Sequence, residues 1–241
     1  MTRHRPQVVG RRARAFGAWS EMMAGMKNAP RLRGPLAVRV ASLFAGLAII
    51  AAGIVALIQS GLGVSPWDVL HIGIANHTPL TIGTASVAVG LVVLVAGWAI
   101  GARPGFGTVA NAVVIGLLID RIRAVSFVVA LASSALPERA LLVAIGLVCF
   151  GLGSALYIGA GLGAGPRDGM MLVLSLRTGR RISLVRGVME ITVLVAGFLL
   201  GGVVGLGTAA FAFAVGPAVE SSFWLLVRLG LAEPALARVE P

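Results

Sequence analysis

The chain has 241 residues, of which 58% are hydrophobic and 12% charged, and its formal net charge is +11 at pH 7. A soluble domain carries roughly 25% charged residues, so this composition excludes a soluble globular protein. Apolar stretches of about 20 residues, such as residues 40–59, are long enough to cross a bilayer as helices. We therefore predict an all-α, polytopic transmembrane helical bundle.

The positive charge is concentrated near the amino terminus, where residues 1–39 hold nine of the 20 Lys and Arg residues. Basic residues beside apolar spans are typical of cytoplasmic segments and of contacts with anionic lipid, so we expect the bilayer as a partner and no nucleic acid. The single cysteine, Cys149, excludes a disulfide within the chain. The three histidines lack the spacing of metal ligands, and we predict no metal and no cofactor.

Residues 1–38 are basic and lack a sustained apolar period, which predicts a largely disordered cytoplasmic arm with a short interfacial helix at 13–27. Two transmembrane repeats, 39–137 and 138–232, and a polar tail, 233–241, are expected to follow. Each repeat contains three full spans and one short second helix. The predicted helices cover residues 40–59, 66–77, 82–101 and 107–120, an interfacial segment at 124–136, and then residues 141–160, 166–176, 182–201 and 206–227.

The division into repeats is based on a sequence motif that occurs twice, and this motif is called the duplicated phrase below. Residues 61–68, GLGVSPWD, return 100 positions later as residues 161–168, GLGAGPRD. The correspondence continues without a gap, and roughly a quarter of the positions agree between residues 41–120 and 141–220, which indicates an internal duplication.

Two topologies are compatible with such a duplication. If each repeat crosses the membrane four times the copies are parallel (4+4), and if the short helix re-enters, each crosses three times and the copies are inverted (3+3). The parallel layout places Arg121 and Arg123 on the cytoplasmic side, and we prefer it on the positive-inside rule. Against it, a helix of about 12 residues reaches only about 18 Å, short of a bilayer core of about 30 Å.

Both copies of the phrase resemble a helix start. Ser65 suits an N-cap, Pro66 the first helical position, and Asp68 the position that reaches back to a free amide. The second copy keeps Pro166 and Asp168. In a functional interpretation, Asp68 and Asp168 face each other near the repeat axis and bind a cation or a proton. Capping explains the same residues and is the interpretation that we favour, although a helix that starts inside a membrane can also face a cavity.

An ionisable pair lies within residues 182–201. Arg186 and Glu190 are one helical turn apart, where the first copy has Ser86 and Gly90. Ionisable residues inside a span are costly unless they face a cavity or a partner, so the pair is a candidate for a substrate or ion path. An i,i+4 pair that only stabilises the bundle explains it equally well.

Glycine-rich turns precede the last span of each repeat, and they contain Gly105, Gly107 and Thr108 in the first copy and Gly205, Gly207 and Thr208 in the second. They predict either an unwound backbone that faces a substrate path or close packing with threonine as a cap, and we favour packing. Gly63 and Gly163 are expected to have a similar backbone role beside the helix starts. Trp67 is typical of a membrane-interface anchor, and Asp120 of a solvated helix end.

The phrase at residues 61–68, the turn RPGFGT at residues 103–108, Asn111 and the helix end at residues 116–120 resemble the YczE/YyaS/YitT family of bacterial membrane proteins. The resemblance covers residues 40–228 and implies an integral inner-membrane protein, for which a permease activity is suggested. The second copy has Arg167 in place of Trp67 and Phe211 in place of Asn111. A role carried by Trp67 or Asn111 therefore need not be two-fold symmetric.

These features predict a transporter or permease of a small solute in the cell membrane, with a cytoplasmic amino terminus and a site between the repeats. The alternative is a non-transporting partner or regulatory component that uses the basic arm, and a homo-oligomer is left open. No phosphate-binding loop or zinc-protease motif is present, so we predict no enzymatic activity. The residues assigned to the path are Trp67, Asp68, Thr108, Asn111, Asp168, Arg186, Glu190 and Thr208, and the backbone positions are Gly63, Ser65, Pro66, Gly105, Gly107, Gly163, Pro166, Gly205 and Gly207.

Overall fold

The computed structural model describes residues 30–233, and most of them are helical. In the first part of the chain, α1 spans Leu36–Ser60, α2 Pro66–His77, α3 Ile82–Ala99, α4 Phe106–Arg123 and α5 Ser126–Ala130, which a short 3-10 turn follows. In the second part, α6 spans Leu136–Gly159, α7 Pro166–Thr178, α8 Ile182–Leu199 and α9 Leu206–Arg228. A two-residue strand at each described end, β1 Arg31–Leu32 and β2 Ala232–Glu233, forms an antiparallel pair.

The structure describes the last part of the predicted basic arm, residues 30–38. Residues 1–29, including the interfacial helix expected at 13–27, lie outside the described residues. Leu32 is buried in β1, and the Arg33 amide donates a hydrogen bond of 2.9 Å to the Leu231 carbonyl. Because α1 then begins at Leu36, directly after Pro35, the last part of the expected arm belongs to the folded protein.

Five described helices are long and apolar enough to cross a membrane, namely α1, α3, α6, α8 and α9. α4 is also 18 residues long, but it ends in Asp120, Arg121 and Arg123. The helices α2 and α7 have only 12 and 13 residues. At about 1.5 Å per residue they are too short to cross a hydrocarbon core of about 30 Å.

The longest helices, α1 and α6, pack against each other in opposite directions. The Gly46 backbone lies against Gly153, and Gly53 lies against Gly146, so the residue number rises along one helix as it falls along the other. The Arg39 Nε at the start of α1 donates a 2.7 Å hydrogen bond to the Ala160 carbonyl just beyond α6. At the other end of the pair, the Arg139 Nε donates to the Ser60 carbonyl.

This arrangement defines two faces of the molecule. The terminal face contains Arg39, Ala160 and the β1–β2 pair, and the distal face contains Ser60 and Arg139. The preferred parallel 4+4 layout is wrong, because it requires α1 and α6, which occupy corresponding places in the two parts of the chain, to run the same way. Positive-inside counting did not reveal this, because it weighs the charges of the loops and does not test whether the short helix crosses the membrane.

The short helix α2 begins in the interior and returns to the distal face. Its neighbour α3 begins at that face, where the Gly83 amide donates a 2.9 Å hydrogen bond to Asp120 Oδ1 near the end of α4. At the end of α2, Asn76 Nδ2 donates to the Gly201 carbonyl just after α8. The start of α2 lies at the centre, because the Trp67 ring is 4.5 Å from the guanidinium carbon of Arg167 at the start of α7.

The buried core surrounds the α1–α6 pair. One apolar cluster joins α1, α4 and α6 through residues that include Leu43, Ile115 and Tyr157. A second cluster joins α1 to α2, α6 and α9 through Leu57, Val69 and other side chains. The two parts of the chain therefore share their core, and the short helix starts are held between them.

Candidate functional site

A cavity of about 730 Å³ lies where the starts of α2 and α7 meet. Helices from both parts of the chain line it, and much of its wall is apolar. Its polar and charged lining is Ser65, Ser86, Asn111, Ser154, Arg167, Asp168, Arg186, Glu190 and Glu220, together with the Tyr157 hydroxyl. Cavities of roughly 300–1,000 Å³ with a few convergent polar groups are typical of small-molecule sites.

The start of α2 is a closed polar network. The Asp68 amide donates to Ser65 Oγ at 3.3 Å, which confirms the predicted N-cap. The Ser65 hydroxyl in turn donates to Asp68 Oδ2 at 2.5 Å, and His71 Nδ1 lies 3.2 Å from Asp68 Oδ1. Asp68 is only 1% exposed. Its carboxylate therefore belongs to the protein interior and does not line the cavity.

The start of α7 lacks the hydrogen-bond network that surrounds the start of α2. Gly165 stands at the N-cap and provides no side-chain cap. Asp168 is exposed to the cavity although it lies deep inside the bundle. Arg167 interacts electrostatically with both Asp68 and Asp168. The two aspartates therefore have different environments, and of the pair only Asp168 lines the cavity.

Trp67 is not a membrane-interface anchor. Its ring is buried, with 8% of its surface exposed, and the Arg167 guanidinium stacks over it at 4.5 Å. A cation over the face of an indole gains from the ring quadrupole, particularly when both groups are withdrawn from water. Trp67 thus positions Arg167 at the edge of the cavity.

Arg186 and Glu190 on α8 form the predicted i,i+4 contact, and both also line the cavity. Arg186 Nε donates to Glu190 Oε1 at 2.8 Å, as an i,i+4 pair does. Both side chains also line the cavity, and they remain 52% and 33% exposed. The ion pair therefore keeps part of its hydrogen-bonding capacity available to a solute.

The glycine-rich turns confirm the packing interpretation. Thr108 Oγ1 accepts a 2.9 Å hydrogen bond from the Gly105 amide, and Thr208 does the same for Gly205 at 3.3 Å. The Gly107 amide donates to the Leu162 carbonyl at 2.8 Å, and its counterpart Gly207 donates to Leu62 at 2.7 Å. Gly163 and Gly63 lie against these two turns. Both glycine pairs stand at ordered helix starts, so the backbone is not unwound there.

A second cavity of about 610 Å³ adjoins the first on the side of the terminal face. It is lined by Arg31 and Arg103 and also by Thr108. Asp168 lines both cavities, so this carboxylate stands between the terminal face and the centre. Asn111 lines only the central cavity of the two.

The two parts of the chain hold one helix pair in different arrangements. In the first part, a Cβ added at Gly83 would lie 2.1 Å from the Gly116 carbonyl oxygen, and one at Gly90 would lie 3.4 Å from the Ala112 Cβ, so α3 packs tightly on α4. In the second part, a Cβ added at Gly216 of α9 would meet no described atom within 4 Å. The gap between α8 and α9 opens into the central cavity.

At the distal face, Asp120 also links α3 to α4 through hydrogen bonds. Thr81 Oγ1 and the Gly83 amide both donate to its carboxylate. Asp120 is therefore a cap for α3, whereas the sequence predicted a solvated helix end. Glu220, its counterpart on α9, lines the cavity and makes no hydrogen bond or ion pair with other residues in the described part of the chain.

Sequence reasoning missed three central residues, namely His71, Tyr157 and Arg167. His71 and Tyr157 are almost fully buried, and their Nε2 and Oη atoms lack hydrogen-bond partners within the described range. Arg167 had a usable signal, because an arginine that replaces the tryptophan of a duplicated membrane phrase is an intramembrane charge, which indicates a site by default.

The chain matches a family model described as a family of unknown function (DUF6198) over residues 37–222. It is 38% identical over 190 residues to an uncharacterised protein of Haemophilus influenzae, covering 79% of this chain and 85% of the relative. It is 36% identical to the uncharacterised membrane protein YczE of Bacillus subtilis over 187 residues, 77% of this chain and 85% of the relative. YyaS of the same organism is 29% identical over 170 residues. No solved structure matches the chain.

These relationships agree with the family that the duplicated phrase and the RPGFGT turn resemble. The name of the Bacillus relative and the five apolar helices identify a multi-pass membrane protein. The extent of the family match and the identity to YczE lead to one assignment: the chain belongs to the DUF6198 family of membrane proteins, with YczE and YyaS among its relatives.

Proposed function

We propose that the protein is a permease that moves a small polar solute through its central cavity by alternating access. One observation carries the proposal: α3 packs on α4, while the corresponding helices α8 and α9 are separated by the cavity. When two related units hold the same helix pair in an open and a closed form, exchanging the two forms exposes the cavity to the other face.

The proposal includes a specific membrane topology. Residues 39–137 and 138–232 are two copies of one unit in an inverted 3+3 arrangement, with α1, α3, α4, α6, α8 and α9 as the crossings. The helices α2 and α7 re-enter, and their starts meet at mid-membrane. Such broken elements, shielded by their neighbours, bind substrates at the repeat interface of many secondary transporters.

The arginines support a cytoplasmic terminal face in the cell membrane. Among the described residues, that face has eight arginines and the distal face has three. The first group is Arg31, Arg33, Arg39, Arg103, Arg177, Arg180, Arg181 and Arg228, and the second is Arg121, Arg123 and Arg139. An excess of arginine in short loops marks the cytoplasmic side. In this orientation the second cavity, which Arg31 and Arg103 line, opens toward the cytoplasm.

The charged side chains divide into two roles. Arg167, Asp168, Arg186 and Glu190 line the cavity and contact the solute. Asp68, with Ser65 and His71, lies behind Arg167 and fixes its position and charge. Burial of an ion in a low-dielectric interior is tolerated when partners surround it, and the Asp68 network together with the Trp67 ring provides them.

A reversible disulfide tests the proposal. In a Cys149→Ala background, Gly90→Cys with Ala112→Cys places two thiols where added Cβ atoms are 3.4 Å apart, close to the separation in disulfides. The purified variant is reconstituted into liposomes and offered labelled amino acids, sugars, organic acids and amines. We expect at least one solute to accumulate under reducing conditions, oxidation to stop its uptake, and reductant to restore it.

The two single-cysteine variants are the control, since oxidation should leave their uptake unchanged. The permease proposal would be contradicted if no solute enters the liposomes, or if uptake is the same with and without the disulfide. The non-transporting alternative predicts a different pattern, in which no solute moves and deletion of residues 1–29 abolishes the cellular role.

A further inference from the structure

The cavity has charges of both signs on two facing helix segments. Arg167 and Asp168 lie at the start of α7, and Arg186 and Glu190 lie on α8. Arg167 interacts electrostatically with Glu190 across the cavity, and Asp168 interacts with Arg186. All four side chains line the cavity, and the charges on α7 are within electrostatic range of the opposite charges on α8.

Arg167 and Asp168 on α7 retain charge and hydrogen-bonding capacity for a ligand. Among the described residues, neither Arg167 nor Asp168 forms an ion pair closer than 4.0 Å, whereas Arg186 and Glu190 bind each other at 2.8 Å. Arg167 is held by the Trp67 ring, which leaves the edge of its guanidinium as a donor. Ionised groups withdrawn from bulk water gain most from a charged partner that a solute can supply.

The start of α7 adds donors for an anionic group. In α2, Ser65 Oγ occupies the Asp68 amide, but Gly165 has no side chain with which to occupy the corresponding Asp168 amide. A free amide at a helix start attracts an anion.

A second, independent donor points to the same place. The Tyr157 side chain is only 4% exposed, and the Gly165 amide lies near its oxygen, but the hydroxyl proton has no acceptor of good geometry within residues 30–233. A Cβ added at Gly165 would lie 2.9 Å from this hydroxyl and 3.1 Å from Asp168 Oδ2. The Tyr157 hydroxyl and the Asp168 carboxylate therefore both lie close beside the start of α7.

From this geometry we infer that the cavity binds a zwitterionic solute that carries one carboxylate and one ammonium group. The carboxylate binds Arg167, the free amides of α7 and the Tyr157 hydroxyl, and the ammonium binds Asp168 and Glu190. The apolar wall accepts the remainder of the solute. This inference rests on the proposed function, of which it names the substrate class.

Charge balance favours a zwitterion over a singly charged solute. The two cations and two anions on α7 and α8 cancel at a distance, so a single charge gains little from them, whereas a solute with both charges can satisfy both signs. Glu220 on α9 faces the same cavity and adds one further negative charge, and Asp68 is engaged by His71 behind the wall. A singly charged amine is accordingly the competing ligand.

Binding is measured on the purified, full-length protein by thermal shift and by equilibrium dialysis. The probes are glycine betaine and the proteinogenic amino acids with uncharged side chains. Each is compared with two single-charge analogues: its amide or ester, which keeps only the positive charge, and its hydroxy acid, which keeps only the negative charge. We expect at least one zwitterion to raise the melting temperature, and its two analogues to bind at least about tenfold more weakly, because each leaves one buried charge unpaired.

Variants then assign the contacts. We expect Asp168→Asn to weaken binding of the zwitterion at least about tenfold, while the affinity for its hydroxy acid changes much less, since that analogue has no ammonium. Tyr157→Phe should weaken both, because it removes a donor to the carboxylate. Glu233→Gln, at the end of β2 and outside the cavity lining, is the charge-matched control and should change neither affinity.

Two outcomes would overturn the inference: no zwitterion binds, or a single-charge analogue binds as tightly as its zwitterion. The disulfide-locked Gly90→Cys/Ala112→Cys protein separates this result from the transport result, because it holds the cavity in the present form. If a zwitterion binds but is not taken up in any redox state, the permease proposal is contradicted and the binding-site inference still holds.

Discussion

At the scale of single residues, one substitution separates two copies of the same motif. Ser65 caps α2 and hydrogen-bonds Asp68, and the carboxylate becomes a buried part of the protein. Gly165 cannot do this for α7, so Asp168 remains exposed to the cavity. The sequence predicted both helix starts correctly, because the serine and proline signals are local. The sequence also contains the difference between Ser65 and Gly165, but it does not show that a cavity lies beside α7, because helices from both parts of the chain line that cavity.

The two aspartates should therefore respond differently to the same change. We expect Asp68→Asn to lower the free energy of unfolding by about 1–3 kcal/mol, because it disturbs the buried bonds to Ser65 and His71. Asp168→Asn should change stability by no more than about 0.5 kcal/mol, yet abolish uptake of the transported solute. Thermal unfolding in detergent and liposome uptake measure the two effects. Equal stability losses in both variants would contradict this division of roles.

At the scale of helices, glycine decides the packing that hydrophobicity leaves open. Apolar runs located the spans to within a few residues, because about 20 apolar residues are needed to cross a bilayer. They did not reveal helix direction. The antiparallel α1–α6 contact is made through Gly46, Gly53, Gly146 and Gly153, where backbones touch without intervening side chains. Small residues allow such close approach in membranes, where van der Waals contact replaces the hydrophobic effect between helices.

A methyl group added at this contact should be costly. In Gly46→Ala the new Cβ would lie 2.6 Å from the Gly153 carbonyl oxygen, so the helices must separate, and we expect a loss of about 1–3 kcal/mol. Gly187→Ala is the matched control, since its Cβ would meet no described atom within 4 Å and alanine has the higher helix propensity. Melting temperatures in one detergent compare the two. A control variant as unstable as Gly46→Ala would show that the contact is not the cause.

At the scale of the whole molecule, the inverted topology makes a direct prediction about sidedness. In a Cys149→Ala background, Ala132→Cys lies in the distal-face turn between α5 and α6, and Thr178→Cys lies at the end of α7. We expect a membrane-impermeant maleimide to label Ala132→Cys in intact cells, and to label Thr178→Cys only after the cells are opened. The reverse pattern would place the terminal face outside, and labelling of both sites in intact cells would exclude the inverted layout.

Alternating access also predicts that the open helix pair closes. Ser183→Cys with Gly216→Cys occupies the positions that correspond to Gly83 and Gly116. We expect this pair to cross-link under oxidation, more slowly than Gly90→Cys with Ala112→Cys, and to stop uptake once formed. Mass spectrometry of the oxidised protein measures the yield. Its complete absence, while the first pair forms readily, would mean that α8 and α9 stay apart.

The antiparallel contact of α1 with α6 has a mechanical consequence. Because α1 and α6 contact each other through glycine backbone, few side-chain rotamers need to change at their interface. The two helices can therefore stay fixed while the outer helices move around them. Spin labels placed on these two helices should therefore keep one narrow distance distribution under all conditions. Labels on α8 and α9 should give a broad or bimodal distance distribution. That difference would identify the moving helices even when the transported solute is unknown.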